Sequence, residues 1–441
     1  MDIIEKTQKM LEKYPLCNHC LGRQYALLGH GLDNEKRGEN LKLLLTMKGH
    51  QLILLKQKAG VLLLKTVATN GSFNMAAELL KKMHKRFGEK RRCYLCEGQF
   101  DHLDKISNHV IEKLRGYEYN TFLIGIELPT RVEERDDEFK AEFEVTHGES
   151  MKNEFSREIG KRVSEIVGKM AEHKKPDIVI FVNPFSDQVT LQPNPLFISG
   201  RYRKLARGIS QSKWICTQCR GRGCQRCNWT GKMLPESIEE IIAKPVLEKT
   251  HGESTSFHAA GREDVDALML GHGRPFIVEV KRPKKRFIDL KKVAETINAE
   301  AKNKVKVSRL NFTNRSAVRR LKKTETSEKV YRMIVEFDKT ISDEDLKMLE
   351  KTLTGAIIYQ QTPSRVLHRR ANRIREKYIY AAKINKLSPN RIEMKIRCQG
   401  GLYIKELITG DNGRTKPSIA EILHAKAEPL ELNVMNIIMK R

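Results

Sequence analysis

Eight of the nine cysteines fall in four Cys-x-x-Cys pairs, and this spacing constrains the fold more than any other feature of the chain. The pairs are Cys17/Cys20, Cys93/Cys96, Cys216/Cys219 and Cys224/Cys227. Four thiolates in tetrahedral array bind Zn²⁺, and Cys-x-x-Cys places two of them on one tight turn. The four pairs therefore predict one or two zinc sites. We expect this zinc to be structural, because four cysteine ligands leave no open position for water.

The last two pairs form the stronger local pattern, because only four residues separate them. Gly221 and Gly223 allow the chain to turn back there, and Arg220, Arg222 and Arg226 on the same segment suit contact with phosphate. The first two pairs are 72 residues apart, so a shared site requires the fold to bring them together. Which pairs share a metal stays open at this point, and redox pairs or free thiols are the alternatives.

The charge balance favours a polyanionic partner. The chain has 441 residues with 82 Lys+Arg against 55 Asp+Glu, a net charge of +27. Residues 281–330 contain 17 basic and 5 acidic side chains, and residues 364–377 contain 6 and 1. Nucleic acids bind largely through Lys and Arg meeting phosphate. The alternative is a solvated basic surface, but clustered Arg in the second stretch argues against it because its planar fork matches phosphate.

Several classes of protein are disfavoured. No apolar run approaches the roughly 18 residues needed to cross a bilayer, and residues 1–7 lack the apolar core of a signal peptide. We therefore expect a soluble, cytoplasmic protein with no membrane partner. The phosphate-loop, dinucleotide, zinc-protease and esterase motifs are absent from the sequence, so no organic cofactor is predicted.

Changes in composition predict four regions: an N-terminal zinc-binding accessory region (1–110), a compact α/β module (111–212), a four-cysteine zinc knuckle or linker (213–235) and a C-terminal region (236–441) that contains the candidate chemistry. The first region is expected to be mostly helical, with apolar runs at 51–55 and 61–64 that are either strands or buried helical turns. In the second, residues 131–144 are acidic and predicted to be loop-rich.

The last region is predicted to be α+β with a mixed, largely antiparallel sheet, because strands paired by turns are interrupted by helices. The predicted strands are 276–280, 305–311, 330–337, 357–360, 378–387 and 392–398. Ser342 and Asp345 resemble a capping box before the helix 343–353. Cys398, outside the pairs, is expected to pack in a strand.

A crowded acidic segment is the strongest candidate for chemistry. Glu263, Asp264 and Asp266 lie beside Arg262 and Arg274 in a glycine-containing stretch that is predicted to be a loop around a short turn. Carboxylates would repel phosphate on a basic surface. A carboxylate paired with Arg or Lys stays ionised and can act as a nucleophile or base. The spacing alone does not exclude a purely salt-bridged loop.

Four segments resemble the archaeal and eukaryotic tRNA pseudouridine synthases that act on the T loop, the THUMP-containing family numbered ten. Residues 261–276, Gly-Arg-Glu-Asp-Val-Asp-Ala-Leu-Met-Leu-Gly-His-Gly-Arg-Pro-Phe, are similar to its catalytic motif. Residues 361–372 are similar to its basic segment and residues 401–418 to its last motif. Residues 111–212 resemble a THUMP RNA-binding module.

The resemblance implies a role for individual residues. Asp264, at the last position of Gly-Arg-x-Asp, would be the nucleophile, with Asp266 as its rival. Lys405 would pair with Asp264 and keep it charged.

By the same resemblance, Tyr331 would stack on the flipped base and assist proton removal, Tyr403 and Ile404 would line the uracil pocket, and Arg262 would contact the substrate. Isomerising a base within folded RNA requires taking it out of its stack, and an isomerisation needs no cofactor to supply free energy.

The implied function is that of an isomerase in tRNA processing, which converts uridines 54 and 55 of the T loop to pseudouridine. Zinc and THUMP modules would bind the tRNA body or its acceptor end. No obligate protein partner is expected, and the enzyme is expected to be monomeric. Two alternatives remain: a non-catalytic zinc and THUMP RNA-binding protein, or another THUMP-type tRNA-modifying enzyme such as a thiolase or methyltransferase.

Overall fold

The computed structural model describes residues 2–322 and 327–438. The chain divides into two compact units, Met1–Asn194 and Pro195–Arg441, each with its own core. Within the described residues, no helix combines the length and the apolar character that crossing a membrane requires.

The first half of the N-terminal unit is helical, as predicted. Its helices are α1 (Ile3–Lys13), α2 (Asn18–Gly22), α3 (Asn34–Leu54), α4 (Ala59–Thr69), α5 (Asn74–Lys82) and α6 (Leu103–Leu114). The apolar runs at 51–55 and 61–64 fall at the end of α3 and within α4, so they are helical turns. Gly49 and Gly60 allow the two helices to approach closely, since a β-carbon on Gly60 would lie 2.5 Å from the Gly49 carbonyl oxygen.

The second half of this unit is a four-stranded sheet with two helices. The elements are β1 (Thr121–Ile126), α7 (Thr130–Glu142), α8 (Met151–Val167), β2 (Met170–Ala171), β3 (Ile178–Asn183) and β4 (Gln188–Pro193). The sheet order is β2-β1-β3-β4, with β1 parallel to both β2 and β3 and with β3 antiparallel to β4.

The prediction that residues 131–144 are loop-rich is wrong, because α7 covers most of them. Val132, Asp136 and Phe139 recur at helical spacing on its buried face. The carboxylate of Asp136 is neutralised by the fully buried guanidinium of Arg23. A tertiary ion pair thus accounts for an acidic residue on the inner face of a helix.

The C-terminal unit is built on a ten-stranded sheet within the described residues. Its strands are β5 (Leu196–Lys204), β6 (Ser254–Ala259), β7 (Leu268–Lys281), β8 (Val305–Thr313), β9 (Glu328–Phe337), β10 (Ile357–Gln361), β11 (Ile374–Ser388), β12 (Arg391–Gln399), β13 (Thr415–Lys416) and β14 (Ala427–Ile438). The order is β13-β10-β11-β12-β9-β14-β7-β5-β8, with β6 paired to β7. Among the strand pairs described in this unit, only β14 and β7 run parallel, so the predicted α+β class with a largely antiparallel sheet is confirmed.

Helices in this unit are α9 (Ile238–Thr250), α10 (Leu290–Glu300), α11 (Arg315–Lys322), α12 (Asp343–Leu353), α13 (Ile404–Thr409) and α14 (Ile419–Ile422). The Ser342–Asp345 capping box before α12 is confirmed, because each side chain accepts a hydrogen bond from the other residue's backbone N–H. The strand that contains Cys398 is also confirmed, and its thiol is buried.

The sequence-based boundary at residue 212 differs from the division of the chain into units. β5 pairs with both β7 and β8, and its inward side chains Leu196, Ile198 and Tyr202 pack in the C-terminal core. The residues on either side of the predicted 213–235 region are adjacent, so the segment begins and ends at the same place in this unit. Ser210 and Ser237 form a β-bridge, and the Ile238 N–H donates to the Ser210 carbonyl.

The loop predicted around Glu263, Asp264 and Asp266 is shorter than expected. Only residues 260–267 form a loop, because β6 precedes it and β7 begins at Leu268. Gly271 and Gly273 lie inside β7 with positive φ. A β-carbon on Gly271 would lie 1.9 Å from the Met435 carbonyl oxygen of β14, so glycine there allows two strands to approach rather than forming a turn.

Replacing the capping hydroxyl should destabilise the C-terminal unit. Ser342→Ala removes the acceptor for the Asp345 N–H, and we expect the free energy of unfolding to fall by about 1 kcal/mol. Urea unfolding of the full chain measures this change. Ser254→Ala, at an exposed position of β6, is the matched control, and an equal effect of the two substitutions would contradict the capping role.

Candidate active site and metal-binding clusters

The 260–267 loop that carries the acidic residues is fixed from beneath by a buried ion pair. The Glu263 and Arg274 side chains are both almost completely buried, and Arg274 Nε lies 2.7 Å from Glu263 Oε2. The Tyr202 hydroxyl lies 2.9 and 3.1 Å from the two Glu263 carboxylate oxygens and donates to this carboxylate. Arg274 Nη1 also donates to the Ala260 carbonyl at 2.6 Å. Glu263 is therefore a structural anion whose charge is compensated.

Two further side chains hold the loop backbone. Gln211 Nε2 donates to the Gly261 carbonyl at 2.9 Å and to the Tyr202 hydroxyl at 2.8 Å. Lys204 Nζ donates to the carbonyls of Asp264 and Val265 at 3.1 and 2.7 Å. Burial lowers the pKa of Lys204 to about 8. With its neighbours anchored in this way, the Asp264 side chain faces a cavity.

That cavity, of about 650 Å³, is lined by the residues that the family resemblance assigned to catalysis or substrate contact, but not by the rival nucleophile Asp266. The lining includes Arg262, Asp264, Tyr331, Tyr403, Ile404 and Lys405. The 260–267 loop, β9 and the start of α13 supply these side chains, although about 140 residues separate Asp264 from Lys405.

Cations flank the half-buried carboxylate of Asp264 and the exposed carboxylate of Asp266. Asp264 Oδ2 lies 3.4 Å from Arg365 Nη1 and 3.7 Å from Lys405 Nζ. Lys405 Nζ is closer to Asp266, whose Oδ2 it meets at 2.6 Å. Asp264, the expected partner of Lys405, thus lies within ion-pair distance of it, but the Lys405 ammonium is shared between Asp264 and Asp266. Burial tends to raise the pKa of Asp266, but the hydrogen bond and charge of Lys405 prevail and lower it.

Arg365 is a contact of Asp264 that the sequence did not single out as a site residue. Its Nε lies 2.6 Å from the buried Glu406 Oε1, and this second pair fixes the guanidinium beside Asp264. The signal available in the sequence was the basic stretch at 364–377, which contains Arg365 but does not distinguish it from its neighbours.

Tyr331 forms part of the cavity wall and is almost completely buried. Burial raises the pKa of its phenol. The phenol therefore stays protonated at neutral pH and can offer an aromatic face or a donated hydrogen bond to a ligand. β9 holds Tyr331 between Ile396 of β12 and Val434 of β14.

Tyr403 and Ile404 lie at the start of α13, where the chain enters the cavity wall. The Gln360 side chain pairs with both backbone groups of Tyr403, accepting from its N–H at 2.8 Å and donating to its carbonyl at 2.9 Å. The Tyr403 hydroxyl accepts from Arg370 Nη1 at 2.9 Å. Ile404 is buried beside it and contributes an apolar surface. This part of the cavity offers one aromatic and one aliphatic group to a flat ligand.

Lys329 also lines the cavity and was missed from the sequence. It lies two residues before Tyr331 on β9 and is 9% exposed. A β-carbon on Gly261 would lie 3.3 Å from its Nζ and 3.1 Å from Arg274 Nη1, so two cations converge below the loop. Burial and then the charge of Arg274 lower the pKa of Lys329 to about 8. Within the part of the chain that the structure describes, no carboxylate forms an ion pair with it.

The cysteine pairs form two groups of four. Cys17, Cys20, Cys93 and Cys96 form one, and Cys216, Cys219, Cys224 and Cys227 form the other. Within each group all sulfurs lie within 4.8 Å of one another, and the closest separations are 3.6–3.8 Å. Tetrahedral Zn–S bonds of about 2.3 Å give a sulfur–sulfur distance of about 3.8 Å. Both groups could therefore hold zinc, which would tie α2 to residues 93–96 in the first.

The two clusters should bind metal independently. We expect two zinc ions per purified chain, and one in Cys20→Ala or in Cys216→Ala, because a tetrahedral site that loses one thiolate binds zinc much more weakly. Elemental analysis after dialysis measures the metal. Cys398→Ala, outside both groups, should retain two. Retention of both ions in Cys20→Ala would contradict the first site.

The buried ammonium of Lys329 should lower the free energy of unfolding of the protein. Its depressed pKa means that the charged form is destabilised in the folded protein, so Lys329→Met should raise the free energy of unfolding at pH 7 by up to about 3 kcal/mol. Between pH 8 and 10.5 the folded protein releases this proton while the unfolded chain keeps it. Wild-type stability then rises with pH, and the difference from the variant narrows.

Urea unfolding at pH 7 and pH 10 tests the Lys329 prediction, with the exposed Lys395→Met as the control for loss of a surface charge. A variant that is less stable than the wild type at pH 7 would show that the Lys329 ammonium is stabilised in the folded protein.

Two family models match this chain, one in each of its two units. Residues 197–438 match the family model described as "Pus10, C-terminal", and residues 106–183 match "Pus10 THUMP domain, archaeal". The first match begins within β5, and the second ends with β3.

Proteins named tRNA pseudouridine synthase Pus10 match nearly the whole chain. Those from Methanocaldococcus jannaschii, Thermofilum pendens and Methanothrix thermoacetophila are 45%, 40% and 37% identical, each over 99% of this chain and 94–95% of the relative. A crystal structure of a Cbf5-Nop10-Gar1 complex is 15% identical over 45% of each chain with a TM-score of 0.30, which is too low to carry an argument. By its two family models and its full-length relatives, the chain belongs to the Pus10 family.

Proposed function

We propose that this chain is a tRNA pseudouridine synthase that isomerises uridines 54 and 55 of the T loop, with Asp264 as the nucleophile. The observation that carries the proposal is the position of Asp264. Its carboxylate faces a cavity of about 650 Å³ and lies within 4 Å of both Arg365 and Lys405. The relatives of this chain are named tRNA pseudouridine synthase Pus10.

The charge around Asp264 suits attack by a carboxylate. A carboxylate can form a covalent bond to a substrate carbon. Arg365 is held by Glu406 and Lys405 by Asp266, so both cations are positioned before substrate arrives. The same cations would attract the phosphates on either side of the target nucleotide.

The isomerisation exchanges one bond to the sugar for another. The Asp264 carboxylate would form a bond to C1′ of the ribose as the N1–C1′ bond breaks and uracil leaves with the bonding electron pair. After the base turns, C5 would attack C1′, and the bond from Asp264 to C1′ would break, which regenerates the carboxylate. The proton on C5 would pass to solvent while N1 takes one up. The neutral phenol of Tyr331 would support the ring by stacking, and Tyr403 and Ile404 would border the remaining space. Atoms balance without an oxidant, a reductant or an organic cofactor.

A target base must leave its stack to reach Asp264, because the carboxylate lies within a cavity. Cationic side chains at the cavity lining can meet the backbone phosphates of the extruded nucleotide, among them Arg262, Arg370, Arg375 and Lys377. The THUMP domain would bind another part of the same tRNA and set the distance to the T loop.

The test is to incubate the full chain with an unmodified tRNA transcript and no added cofactor, and to map pseudouridine at single-nucleotide resolution. We expect product at positions 54 and 55. Asp264→Ala should lower the rate by at least about 10³-fold, since it removes the nucleophile, while tRNA affinity stays within a few-fold.

Asp266→Ala is the matched control, because it removes a carboxylate from the same loop and the same Lys405 contact. We expect a much smaller loss of rate. Product that persists in Asp264→Ala but is lost in Asp266→Ala would transfer the nucleophile to Asp266. Binding of tRNA without any product in the wild type would instead support a non-catalytic RNA-binding protein.

A further inference from the structure

Both tryptophans of the chain lie in the segment 213–235, here called the knuckle, and both are exposed. Trp214 is 49% exposed and Trp229 is 77% exposed. Indoles are usually well buried in folded proteins, and those that remain exposed are enriched at binding surfaces. The knuckle contains no core that could receive them, since its buried side chains are mainly the cluster cysteines.

The backbone holds Trp229 outward. Asn228 and Trp229 both have positive φ, 49° and 62°, which a bulky side chain rarely adopts. Hydrogen bonds nevertheless fix this turn: the Trp229 N–H donates to the Cys224 carbonyl at 2.9 Å, and Thr230 Oγ1 donates to the Cys227 carbonyl at 2.6 Å. The indole is therefore presented by a turn attached to two possible metal ligands.

The segment that carries Trp229 is cationic. Arg220, Arg222 and Arg226 lie in the same segment, and residues 213–235 contain no Asp or Glu. Five basic side chains in this segment exceed the net charge of about −2 that Zn²⁺ with four thiolates would carry. Among the described residues, neither indole stacks on another aromatic ring, so the Trp229 face is available to a ligand.

An exposed aromatic face among arginines fits unpaired RNA. Every base has a π-face that stacks on an aromatic side chain, while cations follow the phosphates. Paired bases have their faces covered by their neighbours, so a duplex would satisfy the cations but not the indole. A protein partner would have to be acidic to meet the same charge.

We propose that the knuckle is a second RNA-binding site, at which Trp229 stacks on a base in an unpaired segment of the tRNA and the arginines contact its phosphates. This inference rests on the proposed function for the identity of the RNA, and it adds a site that is separate from the Asp264 cavity.

Intrinsic fluorescence can follow this contact, because the chain has only two tryptophans. In full-length Trp214→Phe, Trp229 is the sole indole. We expect unpaired oligouridylate and tRNA to quench its emission, and an RNA duplex of equal length to leave it unchanged. An unchanged signal at saturating tRNA, with complex formation shown by filter binding, would overturn the proposal.

Affinity gives a second measurement. Trp229→Ala should weaken binding of oligouridylate and tRNA roughly five- to hundredfold, the range for loss of one base–aromatic stack. Trp229→Phe keeps an aromatic face and should bind within a few-fold of the wild type. The salt dependence should be unchanged in Trp229→Ala but weaker by about one ion in Arg226→Ala. Equal zinc content and melting temperature would show that the variants are folded.

The failure of this inference is distinguishable from failure of the proposed function. If the wild type makes pseudouridine while Trp229→Ala keeps the same tRNA affinity and KM, only the second site is wrong. If the wild type makes none, the proposed function fails whatever the fluorescence shows. Quenching by polyglutamate but not by RNA would assign the knuckle to an acidic protein partner and overturn the proposal.

Discussion

The arrangement of the candidate active site depends on the buried ion pair between Glu263 and Arg274. Both groups are removed from water, and each is compensated by the other and by Tyr202 or the Ala260 carbonyl. Loss of one partner from such a pair leaves an uncompensated buried charge, which typically costs about 3–5 kcal/mol. Because Glu263 points inward, the next residue, Asp264, turns toward the cavity. One buried carboxylate thus positions the exposed one.

The pair also explains why strands from distant parts of the chain meet at this loop. Tyr202 belongs to β5, Arg274 to β7 and the loop itself joins β6 to β7. β5 therefore contributes to the chemistry of the C-terminal unit, although it follows directly after the N-terminal unit. β5 is held in this unit by backbone pairing with β7 and β8, by the packing of its inward side chains and by the hydrogen bond from Tyr202 to Glu263.

Much of this organisation could be predicted from local patterns. The six strands expected between residues 276 and 398 are present, as is the capping box, because alternation and helix-terminus chemistry are local properties. Residues 131–144 were not assigned correctly in this way, because one position of the buried helical face is the acidic Asp136, whose charge is compensated in part by the distant Arg23. The last strand, β14, was not predicted, although it pairs with both β9 and β7.

The candidate site shows the same division between local and distant information. The residues to which the family resemblance assigns a role line one cavity, apart from the rival nucleophile Asp266. The sequence could not distinguish the three crowded carboxylates, because their roles depend on Arg274, Arg365 and Lys405 from other elements. Nor could it show Lys329 as buried, since a lysine in an alternating strand does not reveal which face meets a cavity.

The way in which the knuckle joins the C-terminal unit allows its sequence and its length to change during evolution. Ser210 and Ser237 lie side by side in a β-bridge, so the 26 residues between them leave and re-enter the fold at one point. A surface segment whose two ends are adjacent can be lengthened, shortened or replaced with little effect on the sheet to which it is attached. The surface that the knuckle presents and the loop that carries Asp264 can thus evolve separately within a single polypeptide.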